Sequence, residues 1–403
     1  MARGLTGLRV LDLSQALSGP YAGMILGDLG AEVIKIEPPG GEIFRNLGPY
    51  YRGGWSSYFV SIHRNKKGVV LDLKKEGGRQ AFLDLAKVSD VVLNNFRPGV
   101  LERLGIPYSL MKDVNPRVIV ASITGYGSTG SCRHKTAFDL AVQAASGVLS
   151  VTGTEDGELV KCGVPVADLA AGMFAVIGIL TALREREVSG QGQHVDVSMF
   201  DTQLSMLSYQ ISWYTSSGDV PKPIGTSHLG LEPYGAYKTK DGYLVWTIGT
   251  EDFWRQLCRV LGVPDLAFDP RFDTVKNRHE NRAELKRILE EILSTRTTSE
   301  WMVVMEKAGI PAAPVNNLAQ ALEEPCVRER HMLVEVDQPG YGKAYIAGNP
   351  VKLSRTGGEE FTPTPALGEH TVEVLREVAG YSAAKIEQLL SEKSAVQGQL
   401  LTV

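Results

Sequence analysis

Cysteine is scarce in this chain. Four cysteines, at positions 132, 162, 258 and 326, are spread over 403 residues, and no two of them form a C-x-x-C pair. The histidines do not cluster either, so neither a disulfide framework nor a metal site is indicated, and we expect no bound metal. The N-terminal residues also lack a signal-peptide pattern, which together with the few cysteines favours a reducing, cytoplasmic environment.

A large net charge of either sign and long apolar runs are also missing. Lys and Arg number 42 against 46 Asp and Glu, a formal net charge of −4. With no basic field to attract polyanions, we expect neither nucleic acid nor a membrane as a partner. The longest apolar stretch, Leu169–Leu183, is shorter than the ~20 residues that cross a bilayer, which predicts a buried core helix.

Short apolar strands alternate with helices in the first part of the chain. Leu8–Leu13 and Glu32–Ile36 predict strands on either side of a helix that begins near Gly19, and the alternation continues to Ile123. This pattern predicts an α/β fold whose large domain is Rossmann-like, with a mostly parallel sheet. A turn at Lys240–Gly242 predicts a hairpin, and the helical patterns after it predict a smaller α+β domain.

Polar segments that contain Pro and Gly interrupt this organisation near residues 216–228 and 311–325. We therefore predict a discontinuous large domain from residues 1–215 and 325–403, and a small domain from residues 225–320. Ligands gather at the carboxyl ends of parallel strands, so the large domain is expected to carry the site.

A glycine-rich motif, Gly125–Gly130, follows a predicted strand and has the G-x-G-x-x-G spacing of a dinucleotide-binding loop. The next residues, Ser131–Lys135, are polar and basic, whereas that loop requires a helix to start inside the motif. A glycine-rich active-site or turn loop is favoured, and a dinucleotide-dependent oxidoreductase is a remote alternative.

A second motif, Asn94–Gly99, lies where a buried strand is predicted to end, and Arg103 follows shortly after it. Arg97 and Arg103 beside the aromatic Phe96 can bind phosphates and stack on a purine. The alternative is an ordinary strand-to-helix turn in which an Arg pairs with a local carboxylate. The spacing alone does not decide between them.

Asp168 stands directly before an apolar helix. This position is typical of an N-cap, whose carboxylate accepts backbone N–H groups. The helix dipole would keep such a carboxylate ionised, and the small Ala170, Ala171 and Gly172 would let a ligand approach it, as a nucleophilic Asp requires. The two roles are compatible.

These segments together resemble class III CoA-transferases, the family that includes formyl-CoA transferase and carnitine CoA-transferase. The resemblance extends over about nine tenths of the chain. The matching segments are Gly27–Glu37, Asn65–Lys67, Leu71–Lys74, Asn95–Gly99, Ser122–Gly127, the Asp168 segment, Lys238–Gly242, Gly309–Pro311 and Leu367–Thr371. The resemblance implies an intertwined homodimer of the α/β fold described above.

The resemblance also implies roles for individual residues. Asp168 aligns with the nucleophile that carries CoA from an acyl-CoA to a carboxylic acid acceptor, through an aspartyl anhydride and an aspartyl-CoA thioester. The implied CoA contacts are Leu71, Lys74, Asn95, Phe96, Arg97, Arg103 and Lys135. Further residues expected to line the active site are Gln15, Leu17, Phe138 and Asp139. The CoA thioester is a substrate, and no cofactor is expected.

An α-methylacyl-CoA racemase of the same fold is the nearest alternative. Racemases carry a catalytic His immediately before the Asp at position 139, where this chain has Phe138. Racemisation needs two bases on opposite faces of the α-carbon, so the missing His favours transfer. Leu17 and Pro38 replace a Gln and an Arg of formyl-CoA transferase, which argues against a formyl or oxalyl substrate. A dicarboxylyl donor such as succinyl-CoA is expected instead.

Overall fold

The structure, a computed structural model, describes residues 3–398. Its strands, in chain order, are β1 (Arg9–Asp12), β2 (Glu32–Glu37), β3 (Tyr51–Arg52), β4 (Trp55–Ser56), β5 (Lys66–Leu71), β6 (Val91–Asn94), β7 (Ile119–Thr124), β8 (His194–Ser198), β9 (Tyr234–Lys238), β10 (Tyr243–Thr247), β11 (Ala312–Pro314), β12 (Leu333–Gln338), β13 (Gly342–Ala347) and β14 (Ala395–Val396).

The α-helices, in chain order, are α1 (Ser18–Asp28), α2 (Ser57–Ile62), α3 (Glu76–Lys87), α4 (Val100–Arg103), α5 (Tyr108–Val114), α6 (Asp139–Ala145), α7 (Val166–Ser189), α8 (Met199–Ser217), α9 (Glu251–Val260), α10 (Val275–Glu280), α11 (Arg282–Leu293), α12 (Thr298–Lys307), α13 (Leu318–Glu323), α14 (Pro325–Glu329), α15 (Thr371–Glu377) and α16 (Ala383–Ser391). A kink at Ser208 divides α8 into two helical parts.

The chain divides into two compact units. The larger comprises Met1–Val148, Cys162–Ser216 and Arg328–Val403, and the smaller comprises Leu149–Lys161 and Ser217–Val327. The segment Leu149–Lys161, which falls inside the large domain expected from the sequence, thus belongs to the smaller unit.

The larger unit is built on a seven-stranded sheet with the order β14-β5-β2-β1-β6-β7-β8. Neighbouring strands from β5 to β8 pair in parallel, and β14 joins β5 antiparallel. Because successive side chains point to opposite faces, Val10 and Leu11 of β1 enter two different apolar clusters. One cluster includes Phe82 of α3, and the other includes Leu26 of α1 and Ile179 of α7. The predicted α/β fold with a mostly parallel sheet is confirmed.

The carboxyl edge of this sheet gathers the segments that carry the motifs. In the register of the sheet, Asp12 of β1 lies beside Lys35 of β2 and Leu93 of β6. The loop that follows β1 and the segment Asn95–Gly99 that follows β6 therefore leave the sheet side by side. Parallel α/β sheets bind ligands at this edge.

Helix α7 is longer than the apolar stretch that predicts it, because its helical hydrogen bonding continues through charged residues to Ser189. By length and composition it could cross a bilayer, a test that buried core helices also pass. One face, with Ala171, Ala175 and Ile179, is buried in the apolar cluster shared with α1. Ile177 on another face remains 57% exposed.

The smaller unit contains a three-stranded antiparallel sheet with the order β11-β10-β9. The predicted hairpin is present, with Lys238 paired to Tyr243 across the turn. Trp246, Trp254 and Leu285 lie in its apolar core. Strand β11 falls within the segment that was expected to be a linker, and it pairs with β10.

Candidate active site

Asp168 is the third residue of α7. Its partly buried side chain accepts a hydrogen bond from Ser18, the first residue of α1. Burial and the negative charge of Asp139 raise the pKa of Asp168 to about 6, although the Ser18 hydrogen bond lowers it. Desolvation and a like charge thus act against the helix dipole that was expected to keep this carboxylate ionised, but with a pKa of about 6 the group is still ionised at neutral pH.

The N-cap expected at Asp168 is supplied by a distant residue. Helix α7 begins after Pro165, whose side chain offers no cap. Instead, Asp139 Oδ1 accepts the backbone N–H groups of Ala167 and Asp168, at 2.8 and 3.4 Å. Asp139 Oδ2 accepts a bond from Gln143 at 2.6 Å, which fixes the carboxylate. The side chain that caps the first N–H groups of α7 is therefore that of Asp139 and not that of Asp168.

Gly172 allows α1 and α7 to approach each other closely. A Cβ atom at this position would lie 2.6 Å from the carbonyl oxygen of Ser18 and 3.3 Å from the ring of Tyr21. Any larger residue would push α1 away, and with it the hydroxyl that donates to Asp168. The small residues of this segment thus serve the contact between the helices.

Asn95 fixes the loop between β1 and α1. Its Oδ1 accepts the N–H of Gln15 at 2.8 Å, and its Nδ2 donates to the Gln15 carbonyl at 2.6 Å. The same Nδ2 lies 3.3 Å from the Ser18 hydroxyl. Asn95 was predicted to contact CoA, and Gln15 to line the active site. The structure joins these two residues by hydrogen bonds, next to Ser18, whose hydroxyl donates to Asp168.

Tyr58 is a neighbour of Asp168 that sequence reasoning missed. It lies in α2 and packs in one small apolar cluster with Leu17 and Leu169. Burial, followed by the charge of Asp168, raises the pKa of the Tyr58 hydroxyl. The hydroxyl therefore stays protonated at neutral pH and can donate a hydrogen bond. Tyr58 belongs to no local motif, so only its position in the fold identifies it.

Three of the predicted CoA contacts line one cavity of about 530 Å³. They are Phe96, Arg97 and Arg103, from the segment that follows β6. Other residues that line this cavity are Glu102, Tyr108, Ser122, Thr124, Arg133, His134 and His194. The arginines bring positive charge to the cavity, which suits phosphate groups.

The other predicted CoA contacts are placed differently. Leu71 ends β5, pairs with Ala395 of β14 and is only 1% exposed, so in this structure it is closed to a ligand. Lys74 is exposed in the turn before α3. Lys135 is exposed on the loop that follows β7, with its Nζ 5.5 Å from the centre of the Tyr126 ring. Phe138, expected to line the site, is 67% exposed directly before α6.

The glycine-rich motif Gly125–Gly130 does not open a helix. After β7 the chain forms turns, and α6 begins only at Asp139. Within the motif, the N–H and hydroxyl of Ser128 donate to Asp196 of β8, at 2.9 and 2.6 Å. The motif is thus a loop at the sheet edge and does not form the helical turn of a dinucleotide-binding fold.

Comparison with known proteins assigns this arrangement to a family. The family model of CoA-transferase family III matches residues 5–371. The chain belongs to this family, which confirms the resemblance found in the sequence.

Named relatives and solved structures agree with this assignment. The chain is 38% identical over 387 residues to the succinyl-CoA:glutarate CoA-transferase of Mus musculus, which covers 96% of this chain and 89% of the relative. It is 40% identical over 380 residues to the acetyl-CoA:oxalate CoA-transferase of Acetobacter aceti. This match covers 94% of this chain and 96% of the relative. A crystal structure of a CAIB/BAIF family protein from Brucella suis matches with a TM-score of 0.84 at 34% identity, covering 94% of this chain and 100% of that chain.

Proposed function

We propose that this protein is a CoA-transferase that moves CoA from an acyl-CoA donor to a free carboxylic acid, with Asp168 as the nucleophile. The observation that supports this most is the Asp168 carboxylate itself. It stands in the first turn of α7, its backbone amide is already bound by Asp139, and its pKa is raised to about 6. Such a group is ionised at neutral pH and still basic enough to attack a thioester.

In the first half-reaction, an Asp168 carboxylate oxygen attacks the thioester carbonyl of the donor. The C–S bond breaks, CoA leaves as a thiolate, and an aspartyl acyl anhydride forms. The thiolate then attacks the Asp168 carbonyl, which releases the donor acid and leaves a β-aspartyl-CoA thioester.

In the second half-reaction, the carboxylate of the acceptor attacks this thioester and expels the thiolate, so that a second mixed anhydride forms. The thiolate attacks the acyl carbon of that anhydride, which yields the new acyl-CoA and frees the Asp168 carboxylate. Both intermediates react with water, so the site must exclude it. The apolar cluster of Leu17, Tyr58 and Leu169 beside Asp168 suits this requirement.

The substrates follow from the cavity and from the relatives. We assign the CoA phosphates to Arg97 and Arg103, with Phe96 against the adenine and Lys135 reaching in from the loop after β7. By their names, the two relatives reported above pair succinyl-CoA with glutarate and acetyl-CoA with oxalate. We propose dicarboxylic acids as substrates here, with succinyl-CoA as the donor and no cofactor.

We also propose that the protein is a homodimer with intertwined chains, as the family resemblance implies. Helix α7 exposes one apolar stripe, formed by Met173, Phe174, Ile177 and Leu180. Exposed apolar patches of this kind are typical of protein interfaces. Sedimentation at micromolar concentration should give twice the chain mass of 43.8 kDa. A mass of one chain would contradict the dimer.

The decisive experiment for the nucleophile is mass spectrometry of the protein after incubation with succinyl-CoA and hydroxylamine. Hydroxylamine traps an activated carboxyl group as a hydroxamate, which we expect on Asp168 in the wild type and in the control variant Asp113→Asn on the surface of α5. An unmodified Asp168 together with full transfer by Asp168→Asn would refute the mechanism. Solvent deuterium entering the α-position of a 2-methylacyl-CoA, without an acceptor acid, would instead support a racemase.

A further inference from the structure

The loop that leads from β1 to α1 is held almost entirely by side chains. Five consecutive backbone polar groups, from the Ser14 N–H to the Ala16 N–H, each bind a buried or partly buried side chain. The Ser14 N–H donates to Asp12 Oδ1 at 2.9 Å, and the Ser14 carbonyl accepts from Lys35 Nζ at 2.9 Å. Asn95 binds both polar groups of Gln15, as described above.

The fifth group, the Ala16 N–H, donates to Glu42 Oε2 at 2.9 Å. Ala16 has a φ of 64°, in the left-handed region that residues other than glycine adopt only when their surroundings impose it. Glu42 is the side chain bound to this strained residue. It is 2% exposed and precedes the short 3-10 turn Ile43–Asn46.

Glu42 belongs to a continuous buried network of charged and polar side chains. Its Oε1 lies 3.1 Å from Lys35 Nζ and 3.2 Å from His63 Nε2. His63 Nδ1 lies 3.2 Å from Lys66 Nζ, which binds Asp12 Oδ2 at 2.9 Å. Burial, followed by the charges of Lys66 and Lys35, lowers the pKa of His63, so the ring is neutral. Because Lys66 can only donate, Nδ1 accepts and Nε2 carries the proton, which lies near Glu42 Oε1 without a hydrogen bond to it.

A network of this kind is not explained by stability alone. Charges are costly to bury, and apolar side chains of similar volume often stabilise a core equally well. The charged groups supply what apolar side chains lack, namely donors and acceptors for the backbone of a loop that crosses the protein interior. Lys35, Asp12 and Glu42 all supply such bonds to the loop.

The loop in turn lies next to Asp168. Its last residue, Leu17, packs in the apolar cluster with Leu169. The next residue, Ser18, begins α1, and its hydroxyl donates to Asp168. We propose that Glu42 is a positioning residue, which holds the Ser14–Leu17 loop closed over Asp168 so that acceptor acids, and not water, consume the Asp168 intermediates. This inference rests on the proposed transferase function.

The reaction that the loop would suppress is hydrolysis of the β-aspartyl-CoA thioester. Water adds to the aspartyl carbonyl, the C–S bond breaks, and the products are the Asp168 carboxylate, a proton and the CoA thiol. The net result is an acyl-CoA and water converted into an acid and CoA, with no acyl-CoA formed from the acceptor. Transfer and hydrolysis can therefore be measured in one assay.

The first experiment needs no catalysis. Amide hydrogen exchange is compared for the wild type, Glu42→Gln and a matched control, Glu32→Gln, which loses ion pairs with Arg9 and Lys67 at the far end of β2. The amides of residues 15 and 16 should exchange about 10- to 100-fold faster in Glu42→Gln, because a charged acceptor is lost. The control should exchange there as the wild type does. Unchanged exchange in Glu42→Gln would overturn the positioning role.

The second experiment measures the ratio of acceptor acyl-CoA formed to free CoA thiol released. This ratio does not depend on how much of the protein is folded, so a merely structural role would leave it unchanged. We expect it to fall about tenfold in Glu42→Gln and to stay constant in Glu32→Gln. An equal ratio in Glu42→Gln and wild type would overturn the inference. A wild type without any transfer would overturn the proposed function, and the exchange experiment would still decide what Glu42 holds.

A second variant guards against poor folding of Glu42→Gln. Ala16→Val keeps every buried charge, but a β-branched residue does not tolerate the left-handed conformation of position 16. It should release the loop and lower the ratio of transfer to hydrolysis in the same way. A wild-type ratio in Ala16→Val would show that the loop conformation does not control access of water, and would overturn the inference.

Discussion

The carboxylate of Asp168 is partly buried and that of Asp12 fully buried, and their charged neighbours are opposite in sign. Asp168 has Asp139 beside it, and burial followed by this like charge raises its pKa to about 6. For Asp12, burial also acts to raise the pKa, but the charges of Lys66 and Lys35, together with hydrogen bonds from Ser14 and Lys66, outweigh burial and the pKa is lowered. The carboxylate that we propose as the nucleophile thus has no positive partner, whereas the carboxylate that holds the backbone is paired with lysines. Variants at the two positions should separate the two roles.

The largest effect is expected for Asp168→Asn. Removing the proposed nucleophile should lower kcat for CoA transfer by at least about 10³-fold. The same change removes a buried charge that repels Asp139, so the thermal unfolding midpoint should stay the same or rise. Steady-state kinetics and calorimetry on the same preparation test both. A loss of activity accompanied by a fall in the midpoint would mean that Asp168 is structural and would break the comparison.

Asp12→Asn should show the reverse. Removing one partner of a buried ion pair leaves Lys66 without its carboxylate, which costs about 3–5 kcal/mol in the free energy of unfolding. Urea denaturation followed by circular dichroism measures this loss. Asp168→Asn serves as the matched Asp-to-Asn change, because it also neutralises a buried carboxylate. Equal stability of Asp12→Asn and wild type would refute the pairing inferred for Lys66.

The contact between α1 and α7 is the third test. A Cβ at position 172 would lie 2.6 Å from a backbone oxygen that cannot move freely. Gly172→Ala should therefore lower the free energy of unfolding by roughly 1–3 kcal/mol and reduce transfer, because Ser18 is displaced. The control is Gly249→Ala, where a Cβ has no heavy atom within 4 Å. If Gly172→Ala and Gly249→Ala have the same free energy of unfolding, the close approach of α1 and α7 does not contribute to stability.

The smallest effect concerns pH. If Asp168 is the nucleophile, as we propose, it must be ionised, so the rate of transfer should rise as pH increases through about 6, the pKa of Asp168. Asp139→Asn removes the like charge that raises this pKa and should shift the rise to lower pH, while its amide oxygen can still accept the helix N–H groups. The pH profile of kcat/KM measures the shift. A shift to higher pH would show that Asp139 does not act on Asp168 through its charge.

Local patterns in the sequence predict much of the fold. The strands predicted at Glu32–Ile36 and Asp90–Leu93 and the turn predicted at Lys240–Gly242 lie within a residue of β2, β6 and the hairpin of the structure. Such elements follow from side-chain periodicity and turn chemistry within a few residues. Strand β14 does not, because two residues form a strand only through their pairing with β5.

The site is less accessible to sequence reasoning, for a related reason. Asp168 is recognised by family resemblance, but its expected capping role is wrong because Asp139, in another helix, binds the amides of α7. Glu42 and Lys35 read as ordinary charged residues in the sequence. Their burial becomes visible only when β1 and β2 lie side by side and the loop between β1 and α1 passes over them.

Strand β14 has a consequence for how the protein is made. It covers the edge of β5 with residues that are synthesised more than three hundred positions later. While the ribosome is still translating the intervening chain, the hydrogen-bonding edge of β5 is open and could pair with a strand of another molecule. Completion of the sheet must therefore await a segment that is synthesised more than three hundred positions after β5, and a nascent chain stalled before it would be prone to aggregate.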